Sequence, residues 1–421
     1  MKNVLKKILL FVLLYIGLAM AFVVLIYASF KLPSYRIRGH VAESVEQIKK
    51  EGIGYIPFFN QFGARLDIHT DALMLNIALN KGMYENQGTL EKSMECSFYE
   101  EPSMILATEK SAQSDVFNNH EYSRYWHGVQ VFLRPLLLFF NYTEIRYLLM
   151  ITILVLLGIA FSMMGKQLGI RYVIAFAITI SFIYAIIIPT SLQYSCMFII
   201  LLLSIMTVCM MYKINKEEFL PYAFFIIGAL STYFDLLTYP LITLGIPLVL
   251  VILFENRQKR KLLYLIGKTI QLGLLWAVGY GALFVTKWFV ASIILHKNAI
   301  SIALEAFLFR VNGNEQYPVT RIEMLKSNFD CFFVPLAKYT MLAITILWIG
   351  LFIFFRKKIR ENKAVLPILI IAVVPYLWYI VFAGHSSIHV WFTYRIQAVS
   401  VFAVLSSMCL SIKEKNEDIE N

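Results

Sequence analysis

Ten times along this chain, about 20 residues pass with almost only apolar side chains, the length an α-helix needs to cross the hydrocarbon of a bilayer. The runs cover roughly residues 8 to 30, 145 to 165, 172 to 189, 192 to 212, 219 to 234, 236 to 254, 269 to 290, 333 to 355, 364 to 383 and 391 to 412. Hydrocarbon offers a backbone no hydrogen bonds, so each run predicts a helix that satisfies its own N–H and C=O groups. The fifth and sixth runs are separated only by Phe234-Asp235 and read either as two helices or as a re-entrant hairpin. Of 421 residues, 59% are hydrophobic and 15% charged, which is more apolar than a single water-soluble core of this length requires.

The short connections carry Lys2, Lys6 and Lys7, then Lys166 and Arg171, Lys213 and Lys216, Arg257 to Lys261, Arg356 to Lys363, and Lys413 and Lys415, always at alternate ends of the runs. The excess of cations on cytoplasmic loops therefore predicts both termini inside, with the whole formal charge of +11 on that side. Spread over short loops, this charge makes no stripe for nucleic acid. Ala19-Met20-Ala21 resembles a leader-peptide cleavage site, but Phe22 to Phe30 extends the apolar run to spanning length, so the first helix reads as a retained anchor. The expected division is a first transmembrane helix (1–30), an extracytoplasmic loop (31–144), transmembrane helices two to seven (145–290), a second outer loop (291–332), helices eight to ten (333–412) and a cytoplasmic tail (413–421). Five cysteines show no paired spacing; Cys96 and Cys331 both fall outside, where a bridge or two free thiols are the alternatives.

Within the first outer loop, Asp71 to Leu79 and Gly128 to Phe140 are too short to span but apolar enough to lie along a membrane surface. The polar stretch from Asn86 to Asn119 reads as a flexible or partner-contacting loop. All seven histidines and five of the six aspartates fall on the outer side, which places any titratable site there.

Four clusters are candidates. In the first, Asp67 and Asp71 precede an apolar helix; Thr70 or Asp71 suits an N-cap, and either carboxylate suits a general base held at headgroup depth. The second holds Arg124, His127 and Arg134, with Arg146 beyond; guanidinium groups beside lipid on the outer side suit bidentate phosphate binding, while the neighbouring Tyr122, Tyr125 and Trp126 suit either an interfacial belt or sugar stacking. In the third, Asp235 sits at the junction of two apolar runs, where it must pair, with Arg395 for example, or work. The fourth is His385, His389 and Arg395; the histidines have i, i+4 spacing but lack the HExxH pattern of a zinc site, so no metal is assigned, and Arg395 just inside an apolar helix suits a phosphate or carboxylate partner.

A long first outer loop with an early aspartate, a short apolar helix after it, many spans and basic or histidine residues in later outer loops resemble the GT-C superfamily of membrane glycosyltransferases. The resemblance implies an all-α polytopic protein of a plasma membrane, such as the bacterial cytoplasmic membrane. It implies a polyprenyl-phosphate-linked sugar as donor, a glycan or lipid as acceptor, contact with membrane lipid, and Asp71 or Asp67 as base. Arg124, His127, Arg134, Asp235, His385, His389 and Arg395 would then surround the donor. The family's paired acidic motif is absent, which leaves a divalent cation open and no cofactor assigned. A polymerase or ligase of surface glycans would use the same groups, whereas a flippase or transporter would place charge in mid-span, where Lys287 is the nearest example.

Overall fold

The computed structural model describes residues 2–52, 57–58, 61–332, 343, 347 and 362–411. The first helix, α1 (Lys2–Phe30), leads to α2 (Ser34–Glu51), a β1–β2 hairpin (Pro57–Phe58 and Gln61–Arg65), α3 (Ile68–Ala78), α4 (Thr89–Glu95), α5 (Met104–Gln113) and α6 (Gln130–Leu136). Then follow α7 (Tyr142–Leu168), α8 (Ile170–Phe182), α9 (Leu192–Lys213), α10 (Leu220–Phe234), α11 (Ile242–Arg257) and the long α12 (Leu262–Leu295). The last described helices are α13 (Ala299–Asn312), α14 (Arg321–Phe332), α15 (Val365–Val381), α16 (Ala383–Ile388), α17 (Val390–Thr393) and α18 (Ala398–Ser411).

Five helical stretches are long and apolar enough to cross a membrane: Leu5–Phe30, Tyr142–Leu168, Leu192–Lys213, Leu262–Leu295 and Val390–Ser411. The helices at Ile170–Phe182 and Val365–Val381 are apolar but shorter. α1, α7, α12 and α15 turn large side chains such as Leu13, Met20, Leu154, Leu274, Val285 and Val373 outward. At about 25 cal/mol per Å² such a belt would be costly in water, and it suits hydrocarbon. The eighth apolar run falls outside the described residues except at 343 and 347, as do Arg356 to Arg360 and residues 412–421.

Glycine sets the closest helix pair. Gly228 on α10 and Gly279 on α12 face one another's neighbours: a methyl at Gly228 would overlap the Trp276 carbonyl, and one at Gly279 the Phe225 carbonyl. Two backbones thus meet where neither carries a side chain, as small residues permit between apolar helices. Gly128 in the first loop does the same against α10, and its N–H donates to the Tyr233 carbonyl at 2.9 Å.

The region between α1 and α7 differs from the sequence expectation. Helix α3 is enclosed, with nine of its eleven residues buried, and does not lie on a surface. Asn76 on it pairs with the Tyr99 backbone through both amide atoms (2.9 and 3.2 Å), and the Thr108 hydroxyl reaches the Ala72 carbonyl at 3.0 Å. The Asn86 to Asn119 stretch is ordered into α4 and α5, closed by a bridge between Phe98 and His120. Lys297, just past α12, ties this region down with ion pairs to Glu95 (2.7 Å) and Glu121 (2.6 Å). Lys287, fully buried on α12, donates to the Met94 carbonyl in the last turn of α4 at 2.6 Å, where a helix dipole favours a cation. Cys96 and Cys331 are both free.

Candidate functional site

The two first-loop carboxylates do different local jobs. Asp67 is the N-cap of α3 and accepts from the Thr70 N–H at 3.2 Å, so the helix begins at Ile68 and Asp71 lies in its first turn. Its Oδ2 has no hydrogen-bond partner among the described residues, and burial pushes the carboxyl up to about 7. Asp71 reaches across to another helix. Its carboxylate accepts from the Leu192 N–H at 3.1 Å, the Gln193 N–H at 3.5 Å, the Ser191 hydroxyl at 3.2 Å and the Tyr142 hydroxyl. The N–H groups at the start of a helix have no partner within it, and Asp71 supplies one to α9 from outside. Arg146 extends the chain, donating to the Tyr142 hydroxyl at 2.5 Å and to Glu51 at 2.5 Å. Burial lifts Asp71 to about 6 against the opposing pull of Arg146 and its donors.

Two of the three candidate arginines are occupied by backbone. Arg134 is fully buried and donates to the carbonyls of Ser29 (2.8 Å), Leu32 (2.7 Å) and Ala78, joining the C-terminal ends of α1 and α3. Arg395 is fully buried as well and donates to the carbonyls of Trp391 (2.7 Å), Gly63 (3.1 Å) and Ile183 (3.3 Å), between the rings of Tyr194 and Tyr394. Asp235 is bonded to Thr238 instead of to Arg395. His127 is buried behind Tyr122, bonded to that residue's carbonyl at 3.0 Å, and burial holds its imidazole down to about 3, hence neutral.

Arg124 lies elsewhere. It stands in the wall of an apolar groove of about 440 Å³ between α12, α13 and the end of α15. Trp276, Tyr280, Phe284 and Trp288 line one side; Ala303, Leu304, Phe307 and Arg310 another; Trp378 and Phe382 a third. From Trp276 to Trp288 the wall runs about 18 Å, at 1.5 Å of rise per residue. Arg124 and Arg310 flank Tyr125, each guanidinium carbon 5.6 Å from its ring centroid. Each keeps a buried Nε without a hydrogen-bond partner among the described residues. An orphan donor of this kind costs about 1–3 kcal/mol when buried, which an anion would relieve.

The turn joining α10 to α11 completes this wall. Asp235 Oδ1 accepts from the Thr238 N–H at 2.8 Å and from its hydroxyl, while Oδ2 has no partner among the described residues. Leu237, which lines the groove, has a φ of +69°, a region that costs a branched residue about 1–2 kcal/mol. His385 Nε2–H holds its carbonyl at 2.7 Å. His389 stands 4.7 Å from His385, centroid to centroid. Burial, then the charge of Arg310, pushes His389 down to about 3, and burial, aided by the charge of Arg310, holds His385 low too. Both are neutral at pH 7. No group of three His, Cys, Asp or Glu residues suited to a metal occurs among the described residues.

Of the expected site residues, the structure places Arg124 in the groove lining; Asp235 and His385 sit behind it on either side of the Leu237 turn, His389 stands beside His385, and Asp67, Asp71, His127, Arg134 and Arg395 are not in the lining. Comparison with protein-family models, curated proteins and solved structures finds no match. Two groove residues lay outside the sequence expectation. Arg310 ends the apolar segment from Ala299 to Phe309, the signal that singled out Arg124; Tyr280 sits in an apolar run with nothing to mark it.

Proposed function

We propose that this chain is an integral membrane glycosyltransferase, moving a sugar from a polyprenyl-phosphate-linked donor to a cell-surface glycan or lipid acceptor on the extracytoplasmic face. In this reading it has ten spans and both termini in the cytoplasm. The observation that carries it is the groove: an aromatic and aliphatic channel for the first part of a long hydrocarbon chain, with Arg124 and Arg310 in its wall where a phosphate needs charge-assisted donors. As the sugar departs, charge builds on the phosphate oxygen, and two fixed guanidinium groups in apolar surroundings stabilise it more than water would. Trp288 fixes one of them, its indole N–H donating to the Arg124 carbonyl at 3.0 Å.

Asp71 takes a different part in this scheme from the one expected of it. With its oxygens shared among the α9 N-terminus, Ser191 and Tyr142, it holds the start of a span. The test is the lipid-linked glycan profile of cells lacking the protein. A transferase leaves its unused lipid-linked sugar and an unextended acceptor to accumulate; a profile identical to that of the parent cells overturns the reading.

A further inference from the structure

The groove wall and the turn behind it each hold one buried polar atom without a hydrogen-bond partner among the described residues. The Tyr280 hydroxyl is buried in that wall and has no hydrogen-bond partner among the described residues. Its ring stacks on Trp276 at 5.1 Å and 13°, and the Trp276 indole N–H donates to Thr243 on α11 at 3.1 Å, which locks Tyr280 beside the Asp235 turn. Leu237, two residues beyond Asp235, lines the same groove as Tyr280. One Asp235 oxygen is spent on Thr238 and the other is unpartnered, with the carboxylate 2% exposed. Buried polar groups are mostly paired, so an orphan in the groove wall and a second on the turn that carries Leu237 into that wall point to a polar ligand there. The strained Leu237 and the His385 bond that secures its carbonyl keep the turn in place.

We propose that Asp235 is the proton acceptor of the transfer reaction and that Tyr280 orients the incoming hydroxyl. The inference rests on the glycosyltransferase reading. The acceptor oxygen forms its new bond to the anomeric carbon as the bond from that carbon to the donor phosphate oxygen breaks. The electron pair of the broken bond stays on the phosphate, beside Arg124 and Arg310, and the proton of the attacking hydroxyl passes to Asp235 Oδ2. Asp71 is the poorer base because its oxygens are already taken by four groups, whereas Asp235 keeps one oxygen unpartnered among the described residues, two residues from Leu237 in the groove wall.

The experiment uses the full chain in vesicles. Two quantities are measured for wild type, Asp235→Asn and Tyr280→Phe: binding of farnesyl phosphate, and release of free polyprenyl phosphate from the lipid-linked sugar fraction of cells lacking the protein when the unextended glycan and lipid acceptors of the same cells are supplied. Asn keeps an oxygen for Thr238 but cannot accept the proton. Asp235→Asn is expected to bind farnesyl phosphate within about threefold of wild type and to release product at least about a hundredfold more slowly. Tyr280→Phe, which keeps the ring stack, is expected to lose about tenfold in rate with binding intact. If Asp235→Asn turns over like wild type, Asp235 is not the base. If it misfolds, Tyr280→Phe decides, and an unchanged rate there overturns the site. Wild type that binds farnesyl phosphate yet releases nothing sinks the transferase reading and this inference with it.

Discussion

Arg124 and Arg310 come from parts of the chain almost two hundred residues apart and meet over one ring, each guanidinium 5.6 Å from the centroid of Tyr125. Two like charges that share one ring in apolar surroundings repel each other, and an anion bound beside them relieves that repulsion. Replacing either by Ala is expected to weaken farnesyl phosphate binding about tenfold or more, and Arg310→Lys to recover only part of it, because a point charge does not reproduce a planar fork. Unchanged affinity in both Ala variants would remove the pair from phosphate recognition.

Asp71→Ala strips an acceptor from the start of α9, the Tyr142 hydroxyl and, through it, Arg146. With several buried donors orphaned at about 1–3 kcal/mol each, the loss of stability is on the order of 3 kcal/mol or more. Asp71→Asn should fold less stably than wild type and still transfer sugar within about threefold per folded molecule. A normally folded but inactive Asn variant would restore Asp71 to the role of base.

Asp67 has a pH signature. Burial raises its carboxyl to about 7, so folding favours the protonated form; that contribution is complete below about pH 4 and is lost as pH rises through 7. Asn at this position can still accept from Thr70 and carries no charge. Thermal unfolding of Asp67→Asn should therefore gain on wild type by on the order of 2 kcal/mol between pH 5 and pH 8. Parallel curves across that range would mean the native carboxyl is solvated.

Gly228→Ala or Gly279→Ala forces α10 and α12 apart at the same contact, and overpacking of this kind costs about 1–3 kcal/mol. Because the two changes open one interface, the double variant should lose less than the sum of the single losses. Strict additivity in chemical unfolding would show that the helices accommodate each methyl separately.

The proposed orientation is checked with single cysteines at Asn86, Gln316 and Lys259, all exposed positions, against native cysteines that are buried or half-buried. An impermeant thiol reagent on intact cells should label the first two and spare the third. The reverse pattern would invert the topology.

Five of the ten apolar runs form helices long and apolar enough to cross a membrane, and four more fall on shorter helical segments, because a run of apolar residues leaves the backbone to satisfy itself as helix but does not set where each helix stops. The roles of single charges were much less legible. An arginine in apolar surroundings signals that a partner exists, but not whether that partner is a ligand or a helix end: Arg134 and Arg395 turned out to serve backbone carbonyls, and Arg124 did not. The same holds for acids. Asp67 and Asp71 share a sequence neighbourhood, yet one caps its own helix and the other a helix that begins 121 residues later, a pairing that only tertiary structure sets. Tyr280 was silent because an aromatic residue within an apolar run differs from its neighbours by one hydroxyl, and only the lack of a partner makes that atom conspicuous.

The groove is walled by the faces of helices α12, α13 and α15, so on the proposed reading its occupant arrives sideways through the hydrocarbon. A molecule that travels this way is counted per lipid, not per litre. The apparent KM is then a surface mole fraction: adding inert lipid at constant substrate slows the reaction, while diluting the whole vesicle suspension with buffer leaves the turnover of each protein unchanged.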